Sequence, residues 1–112
     1  MQEASYQKRD KLEIIAATLY VAIEPTIKNH IRNLAYLNPK KITQDLNNLI
    51  ELNLLQQTPS KHYTSNNYVF ETTDKGLEFL ETFENYKGSD SINEIIKYKQ
   101  KLIKMLNIVI YN

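Results

Sequence analysis

LNPKKITQDLNNLIELNLL, residues 37–55, holds the start, the buried stripe and the end of one helix. Asn38-Pro39 supplies the start. An asparagine side chain accepts a hydrogen bond from a backbone N–H that the first helical turn leaves unpaired, and proline at the next position has no N–H to lose. Ile42, Leu46, Leu49 and Ile50 then recur at spacings of one, three and four, which predicts a helix over 39–52 with one buried stripe. Asn53 ends it, because asparagine tolerates the left-handed backbone that glycine otherwise supplies at a helix terminus. Helical geometry turns Lys40, Gln44, Asn47, Asn48 and Glu51 away from the stripe, with Lys41 and Thr43 on its flanks.

Upstream, residues 8–23 carry Leu12, Ile15, Leu19 and Ile23 on one face, which predicts a first amphipathic helix. Glu24-Pro25 breaks it, and a second helix is expected from Pro25, with Ile27, Ile31 and Leu34 on its narrow apolar face. Downstream, residues 54–58 lose the helical period and Tyr68-Val69-Phe70-Glu71-Thr72 is rich in β-formers. The polar stretch PSKHYTSNN, residues 59–67, joins them as the long tip of a hairpin. Thr72 or Thr73 caps a fourth helix whose apolar face is Leu77, Leu80 and Phe83. Lys87-Gly88-Ser89-Asp90 stops it, and Ser91-Ile92-Asn93-Glu94 is a capping box for a last helix to about Tyr111.

This order of elements predicts an α+β, mostly α fold: a winged helix-turn-helix over 1–87 and an appended C-terminal helix over 88–112. The length, 112 residues, suits one ordinary domain and excludes a two-domain enzyme. The absence of cysteine excludes disulfides, thiolate metal sites and cysteine nucleophiles. No N-terminal apolar segment and no apolar run near the ~18 residues of a membrane span occur, so a cytoplasmic protein without membrane contact is expected. The net charge of +1 conceals segregation: residues 25–64 sum to +3, 65–94 to −5 and 95–112 to +4. Such a balance disfavours a strongly basic chromatin coat protein but leaves room for a local basic surface.

The outer face of the 39–52 helix has the chemistry of a base reader. Asparagine and glutamine pair a donor with an acceptor, matching adenine N6 and N7 in the major groove, while lysines meet phosphate or guanine. Asn38, Lys40, Lys41, Thr43, Gln44, Asn47 and Asn48 are therefore candidate DNA contacts. Lys28 and Arg32, one turn apart on the second helix, are candidates for the phosphate backbone, and Lys61, His62 and Tyr63 in the hairpin tip for backbone or minor groove. The bland alternative for the third helix is a solvated face, against which the helix-turn-helix context favours contact; for the hairpin tip a polar loop is an equal alternative to contact. A different function is a module that docks a protein partner through the same neutral face.

In the last helix Ile92, Lys99 and Leu106 fall at heptad position a, Ile95, Leu102 and Val109 at d, and Ile96, Ile103 and Ile110 at e. So broad a stripe either folds back on its own domain or pairs with its copy in a second subunit, and both can hold along different portions. Lys99 at a seam position snorkels or sets register. Lys97, Lys101 and Lys104 lie outside and are available for ion pairs, across a dimer, with the acidic ladder Glu78, Glu81 and Glu84. That ladder lacks histidine companions and reads as a solvated face. His30 and His62 stand alone, and no nucleophile elbow, phosphate-binding glycine loop or dinucleotide fingerprint occurs, so neither enzyme activity, metal, cofactor nor small-molecule ligand is expected. The eight tyrosines read as core edges.

LEIIAATLYVA (12–22), IKNHI (27–31), residues 37–55 and YVFETTDKGLEFLETFENY (68–86) together resemble the small archaeal winged-helix DNA-binding proteins, including the ten-kilodalton archaeal group. TTDKGLEFL after the hairpin is the most specific piece. The resemblance implies a homodimer joined by its C-terminal helices in an antiparallel coiled coil, binding double-stranded DNA through the third helix and the wing. The near-neutral charge departs from a packaging role.

Overall fold

The computed structural model describes residues 9–60 and 68–106. Within these residues lie five helices, α1 (Lys11–Val21), α2 (Lys28–Ala35), α3 (Ile42–Glu51), α4 (Asp74–Gly88) and α5 (Ile92–Met105), and one antiparallel pair, β1 (Leu55–Pro59) and β2 (Tyr68–Thr72). The predicted winged helix-turn-helix order is present. Leu55 pairs with Thr72 and Pro59 with Tyr68, so Gln57 lies opposite Phe70.

The core gathers Leu12, Ile15 and Leu19 of α1, Ile31 and Ala35 of α2, Leu46 and Leu49 of α3, and Phe79, Leu80 and Phe83 of α4. Leu102 of α5 and Leu106 just after it are buried in the same core, so the last helix folds back on its own chain at its C-terminal half. Those two residues, assigned by heptad position to a dimer seam, are covered within the chain along this portion of the helix. Lys101 Nζ also pairs with Glu78 Oε2 at 3.6 Å within the chain, joining α5 to α4.

Several boundaries differ from expectation. The second helix begins at Lys28 instead of Pro25, because the Thr26 N–H and C=O exchange hydrogen bonds with Phe70, at 3.0 and 2.7 Å, and hold that segment extended against β2. Ile23, Leu34 and Leu77, each assigned to an apolar face, are exposed, and Ala22, Ala35 and Phe79 are buried instead. Asn38 caps as expected, its Oδ1 accepting from the Lys40 N–H at 2.8 Å, but it caps a tight turn through Lys41 that precedes the regular helix. In the expected capping box, Ser91 Oγ accepts from the Glu94 N–H, while the Glu94 carboxylate takes the Ser89 hydroxyl rather than the Ser91 N–H. A complete box forms at α1, where Asp10 and Glu13 cap each other.

Helix C-termini are closed by groups distant in sequence. The Thr72 hydroxyl donates to the Leu19 carbonyl at 2.6 Å and the Thr72 N–H to the Ala22 carbonyl, capping α1. Lys75 Nζ and the Thr73 hydroxyl donate to the carbonyls of Leu52 and Asn53 beyond α3. The Arg9 guanidinium donates to the carbonyls of Ala35 and Tyr36, at 2.8 and 3.1 Å, closing α2. These bonds satisfy acceptors that the helices cannot pair internally. Asn53, at φ 67°, adopts the left-handed conformation, with the Leu54 N–H reaching back to the Leu49 carbonyl. Tyr36, at φ 56°, does the same at the end of α2, where a side chain other than glycine or asparagine costs about 1 kcal/mol.

Lys87 Nζ donates to Glu13 Oε2 at 3.1 Å, joining α4 to α1. The Lys87 hydrogen bond, with help from the Asp10 N–H, holds the Glu13 carboxyl below the usual carboxylate range. Glu13 in turn raises the Lys87 ammonium. Stabilisation from Glu13 is therefore present above its unfolded-state pKa and is lost as pH falls through the lowered native value. That from Lys87 is complete below its unfolded-state pKa and is lost as pH rises through the raised native value. Both groups are solvent-exposed, so the effect is small. Urea midpoints measured across pH should show a shallow acid-side decline that shrinks in Glu13→Gln; an identical acid-side decline in both proteins would contradict this assignment.

Candidate nucleic-acid interface

The α3 segment buries Ile42, Leu46 and Leu49 and half-buries Ile50, so its core stripe lies where the spacing set it. The opposite side remains open: Thr43, Gln44, Asn47 and Asn48 are exposed, as are Asn38, Lys40 and Lys41 in the turn ahead of the helix. A helix locked by three buried aliphatic side chains thus presents amides and ammonium groups to solvent.

Lys28 at the start of α2 is exposed, and its Nζ donates to Thr43 Oγ1 at 3.3 Å, tying the second helix to the third beside this face. Arg32, one turn on, is half-buried. Between α2, α3 and the wing lies a cavity of about 210 Å³ lined by Lys28, Thr43, Leu46, Asn47, Gln57, Tyr68 and Phe70. It gathers three of the sequence-derived candidates on an apolar floor and adds Gln57 and Tyr68, which sequence reasoning missed. Their signal was the two-residue period of the hairpin: Tyr68 shares a strand face with Phe70, and Gln57 lies opposite Phe70 in register. Lys61, His62 and Tyr63 lie outside the described residues, as do Val109 and Ile110.

Among the described residues the ion pairs join α4 to α1 and α5, and none engages Lys28, Arg32, Lys40 or Lys41. Among the described residues the cations beside α3 therefore have no carboxylate partner. Two of the four acids of α4 are occupied elsewhere: Glu78 meets Lys101, and Glu84 accepts from the Tyr20 hydroxyl. No group of three potential metal ligands occurs among the described residues, and none of the described helices is long and apolar enough to cross a membrane. The tyrosines divide: Tyr86 is half-buried against the core and Tyr98 is half-buried, whereas Tyr20 and Tyr68 are exposed and Tyr36 is 81% exposed. What this face offers is hydrogen-bond donors and acceptors with positive charge beside them, suited to base edges and phosphates.

Known proteins of the same architecture exist. The crystal structure of Sso10a-2, a DNA-binding protein from Sulfolobus solfataricus, superposes with a TM-score of 0.63 at 17% identity, covering 88% of this chain and 97% of that one. A MarR family protein from Bacillus stearothermophilus superposes with a TM-score of 0.50 at 16% identity, covering 90% and 75%. At such identities these likenesses show a shared fold. No curated protein matches the sequence. The sequence profile described as winged helix-turn-helix matches residues 8–91, which span α1 through the end of α4. With that match laid over helices, turn and hairpin in the expected order, the chain belongs to the winged helix-turn-helix family.

Proposed function

We propose that the protein is a homodimeric transcriptional regulator that binds double-stranded DNA, with α3 in the major groove and the 59–67 wing on flanking backbone or minor groove. The observation that carries this reading is the open face of α3, where Gln44, Asn47 and Asn48 are exposed beside Lys40 and Lys41. Asn38, Thr43, Lys28 and Arg32 extend it toward the phosphates, with Lys61, His62 and Tyr63 assigned to the wing contact. The DNA-binding character of Sso10a-2 agrees with it. Selection of preferred sites from random duplexes tests it. Enrichment of a sequence repeated in two related half-sites is expected, since a twofold protein reads a twofold site; a selected pool no different from the input would contradict it.

Dimerisation is assigned to the outer face of α5. Ile92 and Ile96 are 71% and 49% exposed, Ile95 and Ile103 are half-buried and Lys99 is exposed on that helix. Exposed isoleucines at heptad spacing seek a partner surface, and Val109 and Ile110 continue the pattern in the sequence. Ile92→Glu with Ile96→Glu should turn a dimer into a folded monomer in sedimentation, since neither side chain supports the core; a persistent dimer would remove this face from the interface. A docking module for another protein is the second reading, favoured by the net charge of +1. It differs by a weak dependence of affinity on salt.

A further inference from the structure

Two residues in the described chain hold a left-handed backbone, and they are unlike in kind. Asn53, after α3, is a residue that adopts this conformation readily. Tyr36, in the turn between α2 and the α3 segment, is not: a bulky side chain there is a true outlier. Its ring does not compensate by packing, being 81% exposed, and its hydroxyl has no hydrogen-bond partner among the described residues. The backbone is nonetheless fixed from both sides. The Leu37 N–H donates to the Arg32 carbonyl at 3.0 Å, and the Arg9 guanidinium grips the carbonyls of Ala35 and Tyr36 from 26 and 27 residues away. A strained conformation over-determined by its surroundings marks a side chain held for use.

The use follows from position. Tyr36 precedes Asn38, Lys40 and Lys41 in the exposed turn that leads into α3, on a stretch that carries no acidic residue from Lys28 to Gln44. We propose that Tyr36 is a DNA-contacting residue, its phenol donating to a backbone phosphate next to the groove that α3 enters, and that Arg9 is the positioning residue that holds it there. Tyrosine suits this task, since its hydroxyl is a phosphate donor on a rigid, weakly mobile arm. Phosphodiester is the ligand class; the contact carries no base selectivity. The inference rests on the DNA-binding reading above.

Tyr36→Asn keeps the left-handed turn and removes the ring, and Tyr36→Phe keeps the ring and removes the hydroxyl. With the full-length protein and a duplex from the selected pool, Tyr36→Asn should lose affinity about tenfold and Tyr36→Phe about fivefold, losses of the size one hydrogen bond gives. Both losses should be equal for selected and random duplexes, and the melting temperature of Tyr36→Asn should hold or rise. A purely structural tyrosine would move the melting temperature and not the affinity. Salt-sensitive binding by the parent protein with undiminished binding by Tyr36→Asn would overturn this proposal alone. Unchanged DNA affinity with altered sedimentation would place the ring in a protein contact and equally overturn it. A parent protein that binds no duplex at low salt would overturn the reading on which it rests.

Discussion

Gly76→Ala should unfold the protein at a much lower temperature than the parent, with a midpoint at least about 8 °C down, although alanine is ordinarily the better helix former by about 1 kcal/mol. Gly76 sits in the first turn of α4, and a β-carbon there would stand 2.5 Å from Thr72 Cγ2 and closer still to the Leu54 carbonyl oxygen. Neither neighbour can give way. Leu54 is fully buried, its N–H held by the Leu49 carbonyl and its own carbonyl by the Thr73 N–H, and Thr72 is tied to Leu19 and Ala22. Overpacking costs about 1–3 kcal/mol where side chains can shift and more where backbone must, so we expect a net loss of about 2–4 kcal/mol. Gly88, at the other end of the same helix, has nothing within 4 Å of the corresponding position and no positive φ. Gly88→Ala should therefore be neutral or stabilising by up to about 1 kcal/mol. Midpoints of the two variants moving in the same direction in thermal unfolding would contradict this account of the α3–β1–α4 junction.

The second large effect is on binding. Two phosphate contacts contribute about 1.8 to the log-log salt slope of each protomer bound, at about 0.9 each, so Lys40→Ala with Lys41→Ala should flatten that slope by about 1.8 and weaken duplex binding about sixtyfold at 0.1 M salt for each protomer engaged. Gln44→Ala with Asn47→Ala should act on a different quantity. Amides that read base edges discriminate by about 1–3 kcal/mol each, so this variant should retain the parent slope and bind selected and random duplexes nearly alike. Two variants on one helix thus separate charge from readout. Equal losses of slope in both, or retained selectivity in the amide variant, would contradict the division of labour across α3.

Much of this surface was legible in the chain because it depends on local spacing. Ile42, Leu46 and Leu49 had to lie on one side of α3, and once they were buried Gln44, Asn47 and Asn48 had to be outside. Asn53 was legible for the same reason: few residues tolerate the conformation it holds. What failed depends on partners distant in sequence. Periodicity places Leu34 and Leu77 on an apolar face only if the neighbouring element lies squarely beneath it; a small rotation of α2 and α4 buries Ala35 and Phe79 instead. The Thr26 bridge to Phe70 joins residues 44 apart and leaves no periodic trace, so the start of α2 was placed too early. The C-terminal caps from Arg9, Thr72 and Lys75 are likewise long-range. The cavity residues Gln57 and Tyr68 become visible only when hairpin register is combined with the docking of α3.

That the solvent-facing side of α3 is a DNA-binding surface is tested most directly by the affinity of the unmodified protein for duplex DNA, followed from low to moderate salt. Four exposed or half-exposed cations flank that side, Lys28, Arg32, Lys40 and Lys41. Full engagement of the four by phosphate gives a slope near −3.6 in log affinity against log salt for each protomer bound, at about 0.9 per contact. A slope of that order supports the account, whereas binding indifferent to salt, or none at low salt, contradicts it.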